Sequence, residues 1–184
     1  MPDQMIRIAS QLTFCSPECI LRNNVLEIGE KNKINRFYSL ENIVSETSTT
    51  LFFDGILSAE IPSLSQKYTH QEILKLVPDY QYIDVSKISQ RTEITPNNNP
   101  LLIDFGTNSS VEINFQLKKY STYFLKFSIF EIIAACVYYP AKLLGSPDLL
   151  TENYHSPVLL WENVDLVNKK ITADTEIKEI NLFD

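Results

Sequence analysis

The sequence contains few of the residues from which common active sites are built. Only four glycines occur in 184 residues, and neither a G-x-G-x-x-G pattern nor a P-loop is present, so the glycine-rich cradles that bind dinucleotides and phosphates are missing. There is also no G-x-S-x-G element, the usual nucleophile elbow of a serine hydrolase. The two histidines, His70 and His155, are not paired in sequence as metal ligands commonly are.

Positive charge and long apolar runs are scarce as well. Lysine and arginine number 16 against 23 aspartates and glutamates, which leaves a net charge of −7. This balance argues against binding nucleic acid or an anionic membrane, because both need a basic surface. The most apolar run, Phe127 to Val137, is interrupted by Glu131 and is shorter than the roughly 20 residues that span a bilayer. The N-terminus lacks a basic region followed by an apolar stretch, so we expect no signal peptide and a cytoplasmic protein.

Cysteine occurs three times, as Cys15, Cys19 and Cys136. An odd number without a secretion signal is typical of a reducing compartment. Cys15 and Cys19 lie close in sequence, but a structural zinc site needs four ligands in clustered pairs. We therefore expect buried or chemically idle cysteines here rather than a zinc site.

Strand patterns at both ends of the chain, with helical patterns between them, predict an α+β fold. In the N-terminal third, the β-rich runs Val25–Ile28 and Ile34–Leu40 predict a hairpin. Asp54-Gly55 stands between two apolar runs and predicts a tight turn. We expect the strand-like C-terminal runs, Pro157–Trp161 and Glu176–Ile180, to share one β-structure with the N-terminal strands.

The middle of the chain predicts short strands and helices. Helical periodicity and apolar runs place helices at 70–76 and 112–124, and strands at 82–85 and 101–105. Ser128 and Glu131 match a capping box, in which each residue's side chain bonds the other's backbone N–H. An apolar helical stripe follows, and we expect Gly145 to end it.

Four side chains could supply a metal site if the chain is an enzyme. Asp84 and Asp104 fall at or near predicted strand ends, where α/β proteins often place catalytic groups, although carboxylates there are also common turn formers. His70 lies beside a predicted helix start and His155 in a loop. The four are a sufficient inventory for one zinc ion, but none shows ligand spacing. Surface histidines and turn-forming aspartates are the plainer interpretation.

Five segments, taken in order, carry a family resemblance. They are CILRNNVLEIGE from Cys19, FFDGIL from Phe52, LIDFGTNS from Leu102, the helical stretch Phe130–Gly145, and PVLLWENVDL from Pro157. They resemble the opening hairpin, the D-G-x-L strand, the last barrel strand with its L-G-T-D-S motif, the N-P-A-x-x-L-G segment and the closing strands of the amidohydrolase superfamily. Within it, the resemblance is to the cytosine-deaminase-like metal-dependent hydrolases, and it covers residues 5–60 and 101–184.

The metal ligands of that family are not carried over. Aligned from the Asp54-Gly55 pair, the two metal histidines would fall at Ser65 and Lys67, and the aspartate of L-G-T-D-S at Asn108. None of the three provides the imidazole or carboxylate that the family uses, and a lysine would oppose a cation. A (β/α)8 barrel takes roughly 200 residues or more, so most of the barrel is missing too.

The resemblance implies a particular version of the α+β fold. We expect a composite β-sandwich built from residues 1–64 and 155–184, with residues 65–154 forming a small α/β remnant of the barrel and its helices, effectively as one compact domain. The implied function is that of a non-catalytic, amidohydrolase-like protein that acts as a binding or scaffold module without a cofactor. The alternative is a small metal-dependent hydrolase that acts on C–N bonds with a rebuilt zinc site made of the two histidines and two aspartates above.

Loss of a barrel would leave an apolar face uncovered, and a monomer seldom leaves a large apolar patch bare. We therefore expect either the helices of the barrel remnant or a partner to cover this face. A homodimer is the simplest partner, and a related full-length amidohydrolase is a second possibility. Neither nucleic acid nor a membrane is expected as a partner, for the reasons of charge and hydropathy given above.

Overall fold

The computed structural model describes residues 5–29, 33–40, 50–88, 94, 98–146, 150–151, 154–155 and 157–180. The fold is α+β and combines a six-stranded sheet with a small two-stranded sheet and several short helices. The strands are β1 (Ile6–Ser16), β2 (Cys19–Gly29), β3 (Lys33–Ser39), β4 (Thr50–Ser58), β5 (Gln81–Asp84), β6 (Leu101–Asp104), β7 (Val158–Glu162) and β8 (Glu176–Ile180). The α-helices are α1 (His70–Leu76), α2 (Ser110–Phe124), α3 (Ile129–Ile133) and α4 (Tyr139–Leu143).

The chain divides into two compact units. The first comprises Met1–Glu60, Asp148–Glu162 and Ile177–Asp184, and the second comprises Ile61–Pro147 and Asn163–Glu176. Each unit is therefore assembled from segments that are distant in sequence.

The first unit is built on the six-stranded sheet, whose strand order is β3-β2-β1-β4-β7-β8. Strands β1, β2 and β3 form an antiparallel meander, β4 lies parallel to β1, and β7 lies antiparallel to β4. The structure thus confirms the predicted hairpin of β2 with β3. It also confirms that the C-terminal strands share one β-structure with the N-terminal strands.

A second hairpin, between β1 and β2, is absent from the sequence-based prediction. Ser16 pairs with Cys19, so Pro17 and Glu18 form a two-residue turn. The core of the unit includes Trp161, which is fully buried. Its indole Nε1–H donates to the Ser58 hydroxyl at 2.9 Å, so the one polar atom of this large side chain has a partner inside the core.

The predicted tight turn at Asp54-Gly55 is wrong, because β4 runs through both residues. Pairing with β1 shifts between Ser10 and Leu12, which lie opposite Phe53 and Ile56. Between these pairs, Asp54 and Gly55 of β4 both lie opposite the single residue Gln11 of β1, and this arrangement is a β-bulge. Gly55 adopts φ +143°, a conformation that side chains rarely permit. The Asp-Gly pair marks a bulge here because neighbouring strands continue on both sides of β4.

The second unit contains β5 and β6, which pair in parallel, and the four helices. Both residues of the predicted capping box act as expected, since the Ser128 N–H donates to the Glu131 carboxylate at 2.6 Å and the Glu131 N–H to the Ser128 hydroxyl at 3.2 Å. The predicted apolar stripe is fully buried and packs beside β6; its members are Ile129, Ile132, Ile133, Cys136 and Val137.

A wide π-helical turn at Ala134–Tyr138 joins α3 to α4. It precedes Pro140, which lacks a backbone N–H and whose ring would clash with a regular α-helical turn before it. Gly145 follows α4 at φ +83°, as expected for a glycine that ends a helix. None of the helices that the structure describes has the length and apolar character needed to cross a membrane.

Candidate functional site

The carboxyl ends of β5 and β6 bring together most of the polar side chains that the sequence singles out. The two strands pair in register, with Asp84 opposite Asp104 as the last residue of each. Helix α1 begins at His70 after a second capping box, formed by Thr69 and Glu72. The His70 ring centroid lies 5.6 Å from that of Tyr82 on β5.

Asp104 is a buried carboxylate, with 1% of its surface exposed. Its Oδ1 accepts hydrogen bonds from the Ser63 hydroxyl at 3.3 Å and the Gly106 N–H at 3.0 Å. Its Oδ2 accepts from the Ser65 N–H at 2.9 Å and the Tyr82 hydroxyl at 3.3 Å. Four donors on two oxygens satisfy a carboxylate that water does not reach, which is what burial of this group requires.

Asp84 lies at the same strand end but is engaged differently. Its Oδ2 is 2.7 Å from the Lys87 ammonium and 3.8 Å from the His70 Nδ1. Its Oδ1 accepts from the N–H and the hydroxyl of Ser86. Partial burial raises the pKa of Asp84, but the hydrogen bonds from Lys87 and Ser86 outweigh it and hold the pKa below its ordinary value. This carboxylate therefore stays ionised and bound to its own neighbours.

Tyr82 stands between the two carboxylates. Burial raises the pKa of its hydroxyl well above the ordinary value, and the negative charges of Asp104 and Asp84 raise it further. The hydroxyl consequently stays protonated and donates to Asp104. A tyrosine in this state serves as a hydrogen-bond donor and is a poor general base at neutral pH.

Ser65, Lys67 and Asn108, where the sequence resemblance would place metal ligands, also lie in this unit. The Ser65 N–H bonds Asp104, and the Ser65 hydroxyl is 3.3 Å from that of Ser63. The Asn108 amide oxygen accepts from Gln66 at 3.5 Å. The Lys67 ammonium lies 5.6 Å from the centre of the Tyr68 ring. Ser65 and Asn108 thus make local polar contacts, and the exposed Lys67 lies near an aromatic ring.

The four residues of the alternative zinc site are divided between the units. His70, Asp84 and Asp104 belong to the second unit, whereas His155 belongs to the first. Across the part of the chain that the structure describes, no three His, Cys, Asp or Glu side chains are grouped closely enough to hold a metal ion. The carboxylate that His70 approaches is Asp84, whose Oδ2 already bonds Lys87.

A shallow depression of about 160 Å³ lies between α2 and residues 173–176 of the second unit. It is smaller than the roughly 300–1,000 Å³ of pockets that enclose drug-sized ligands. Exposed Phe115 and Lys118 contribute to its wall. It contains no pair of residues arranged as nucleophile and base.

Some of these contacts had signals in the sequence and others did not. Asp104-Phe-Gly106 after an apolar run is the pattern of an aspartate that bonds the backbone two residues on, and the Gly106 N–H does donate to Asp104. Ser63, in contrast, is 41 positions from Asp104, and no local pattern identifies it as a partner. The Lys87 partner of Asp84 is three residues along the chain, a spacing that sequence analysis could have used.

Comparison of the chain with protein-family models, with characterised proteins and with solved structures finds no match.

Proposed function

We propose that the chain is a non-catalytic, amidohydrolase-like protein that acts as a binding or scaffold module. The observation that carries this proposal is the state of Asp104. It occupies the strand-end position at which a catalytic group is expected, yet its two oxygens accept four hydrogen bonds from the chain and 1% of it is exposed. Enclosure by donors of the chain supports a structural role for Asp104 rather than a catalytic one.

The same proposal includes the finer architecture. The pairing of β4 with β7 supports a composite β-domain made from both ends of the chain. The parallel pair β5 and β6, with the helical run of α3 and α4 packed beside β6, supports an α/β remnant of a barrel. The three free cysteines are in keeping with a cytoplasmic location.

The alternative is a metal-dependent hydrolase of C–N bonds that uses His70, Asp84 and Asp104. The approach of His70 to Asp84, which pairs with Asp104 in the register of β5 and β6, favours it, but the hydrogen bonds of both carboxylates oppose it. Elemental analysis of protein purified without chelator, together with amide and amidine hydrolysis assays, separates the two functions. We expect less than stoichiometric zinc and no turnover. One tightly held metal per chain, lost in His70→Ala, would contradict the non-catalytic proposal, and turnover of an amide or amidine would establish the hydrolase.

As the partner of the module we propose a second copy of the chain, bound at the edge of β4. Within β4, strand β7 pairs with Ile56–Ser58, and no described residue pairs with Thr50–Asp54 on the side away from β1. Leu51 and Phe52 are 42% and 58% exposed. Five residues at this edge contain neither lysine nor proline, the residues that commonly protect an edge from pairing.

This edge is complementary to itself. Two antiparallel copies related by a twofold axis normal to the sheet must place one residue opposite its own counterpart. Centring the pair on Phe52 sets the two phenylalanine rings across from each other, Leu51 opposite Phe53, and Thr50 opposite Asp54. Apolar cross-strand pairs stabilise a sheet and opposed like charges destabilise it, and this register brings no two charges together.

A further inference from the structure

We propose that Cys15 and Cys19 form a reversible dithiol–disulfide site, oxidised by a low-molecular-weight disulfide such as oxidised glutathione. The site lies at the closed end of the β1–β2 hairpin. It is independent of the proposed binding function. The proposed interface begins at Thr50, which pairs with Arg7 near the start of β1, whereas Cys15 lies near the end of that strand.

The register of the hairpin places the two cysteines side by side. Phe14 pairs with Ile20 and Ser16 with Cys19, so Cys15 is an extra residue on β1. In such a bulge two consecutive residues oppose one residue of the partner strand, and Cys15 and Ser16 therefore both face Cys19. The Cys19 thiol is near enough to the Cys15 thiol to raise its pKa.

This geometry is suited to a disulfide. Directly opposed residues of antiparallel strands, here Ser16 and Cys19, have Cα atoms about 4.5–5.5 Å apart, and Cys15 faces Cys19 from the adjoining position of the bulge. Disulfides join Cα atoms about 4.4–6.8 Å apart. The two-residue turn at Pro17-Glu18 already closes the ends of the loop. Oxidation would thus need little movement of the backbone.

The two thiols differ in access, which assigns them different steps. Cys19 is exposed and Cys15 only partly so. Burial and the neighbouring Cys19 raise the pKa of Cys15 to about 12, and a thiol reacts as its thiolate. Cys19 is therefore the group that attacks the reagent, and Cys15 is the group that resolves the intermediate.

The reaction balances as two exchanges. Cys19 loses its proton and attacks one sulfur of the reagent, which forms a mixed disulfide and releases the first reagent thiolate. Cys15 then loses its proton and attacks the Cys19 sulfur, which releases the second thiolate and leaves Cys15–Cys19 bonded. Two protein thiols are oxidised, one reagent disulfide is reduced, and the two protons go to the two released thiolates.

The test is oxidation of the fully reduced protein with oxidised glutathione, followed by mass spectrometry. Both cysteines lie between Arg7 and Arg22 and fall in one tryptic peptide. We expect that peptide to lose two hydrogens in mass and the free thiols of the unfolded chain to fall from three to one, with dithiothreitol reversing both changes. A stable glutathione adduct on Cys19 in the unmodified sequence, or disulfide-linked dimers, would refute the site.

Single substitutions assign the roles. In Cys15→Ser the reaction should stop at a persistent glutathione adduct on Cys19, and in Cys19→Ser the rate of thiol loss should fall at least about tenfold. Cys136 is fully buried, so Cys136→Ala provides the matched control and should form the disulfide at the unchanged rate. An adduct that resolves equally well without Cys15 would contradict the assignment, and so would loss of the disulfide in Cys136→Ala.

Discussion

At the scale of single residues, Asp104 shows how a buried charge organises its surroundings. Its partners come from three separate places in the chain: the segment before α1, strand β5 and the loop that follows β6. Hydrogen bonds to an ionised acceptor are stronger than those between neutral groups. The carboxylate therefore connects the segment before α1 with the paired strands β5 and β6.

Replacement of Asp104 by asparagine should lower the free energy of unfolding by about 2–3 kcal/mol. The amide keeps one acceptor oxygen but presents an NH2 group to donors that then have no acceptor. Asp79→Asn is the matched control, because Asp79 is exposed, and it should change stability by less than about 0.5 kcal/mol. Urea denaturation followed by circular dichroism measures both. Equal stability of the two variants would show that Asp104 has no such organising role.

The raised pKa of Tyr82 leads us to expect that the folded protein loses stability in alkali. Burial, with the charges of Asp104 and Asp84, raises the pKa of its hydroxyl in the folded protein. The unfolded chain ionises this group first, at about pH 10, so the stabilisation is complete below that pH and is lost as the pH rises above it. Above pH 10, the free energy of unfolding of Tyr82→Phe should therefore fall less steeply with rising pH than that of the unmodified protein. Tyr120→Phe, which removes a hydroxyl far from Asp104 in sequence, should leave that dependence unchanged.

At the scale of elements, local sequence signals predicted helices better than strand connections. The capping box at Ser128 and Glu131 needs only neighbouring residues, and the structure confirms it. The Asp54-Gly55 signal is equally local, but its outcome was decided by β1 and β7 on either side of β4. The partners of Asp104 are likewise set by tertiary packing, so the sequence indicated a strand-end carboxylate without indicating that it would be enclosed.

The bulge in β4 leads to a prediction about Gly55. A Cβ added there would lie 2.2 Å from the Trp161 carbonyl oxygen, in addition to the strain of φ +143°. We expect Gly55→Ala to destabilise the protein by at least about 2–3 kcal/mol. Gly145→Ala is the control, because Gly145 also has a positive φ but nothing lies within 4 Å of its added Cβ, and it should cost about 1 kcal/mol. Similar losses from both variants in thermal or urea unfolding would argue against the close approach of β7.

At the scale of the whole molecule, the two apolar surfaces differ in burial: the helical stripe is buried and the edge of β4 is exposed. The stripe of α3 is fully buried in the chain's own core, so it supplies no interface. The edge at Leu51 and Phe52 is exposed, and it is the surface that would join two copies. The acidic net charge of −7 per chain opposes association at long range, and salt reduces that repulsion.

We therefore predict a weak homodimer whose affinity rises with ionic strength. The contact is short, and small interfaces bind weakly, so sedimentation velocity over a range of protein concentrations is the suitable measurement. Phe52→Lys places a charge at the centre of the paired edge and should weaken the dimer at least about tenfold, or 1.4 kcal/mol. Val167→Lys introduces the same charge at a residue that is 90% exposed elsewhere and should leave the dimer intact. A strictly monomeric protein at hundreds of micromolar and high salt would remove the β4 interface, as would a dimer that Phe52→Lys does not weaken.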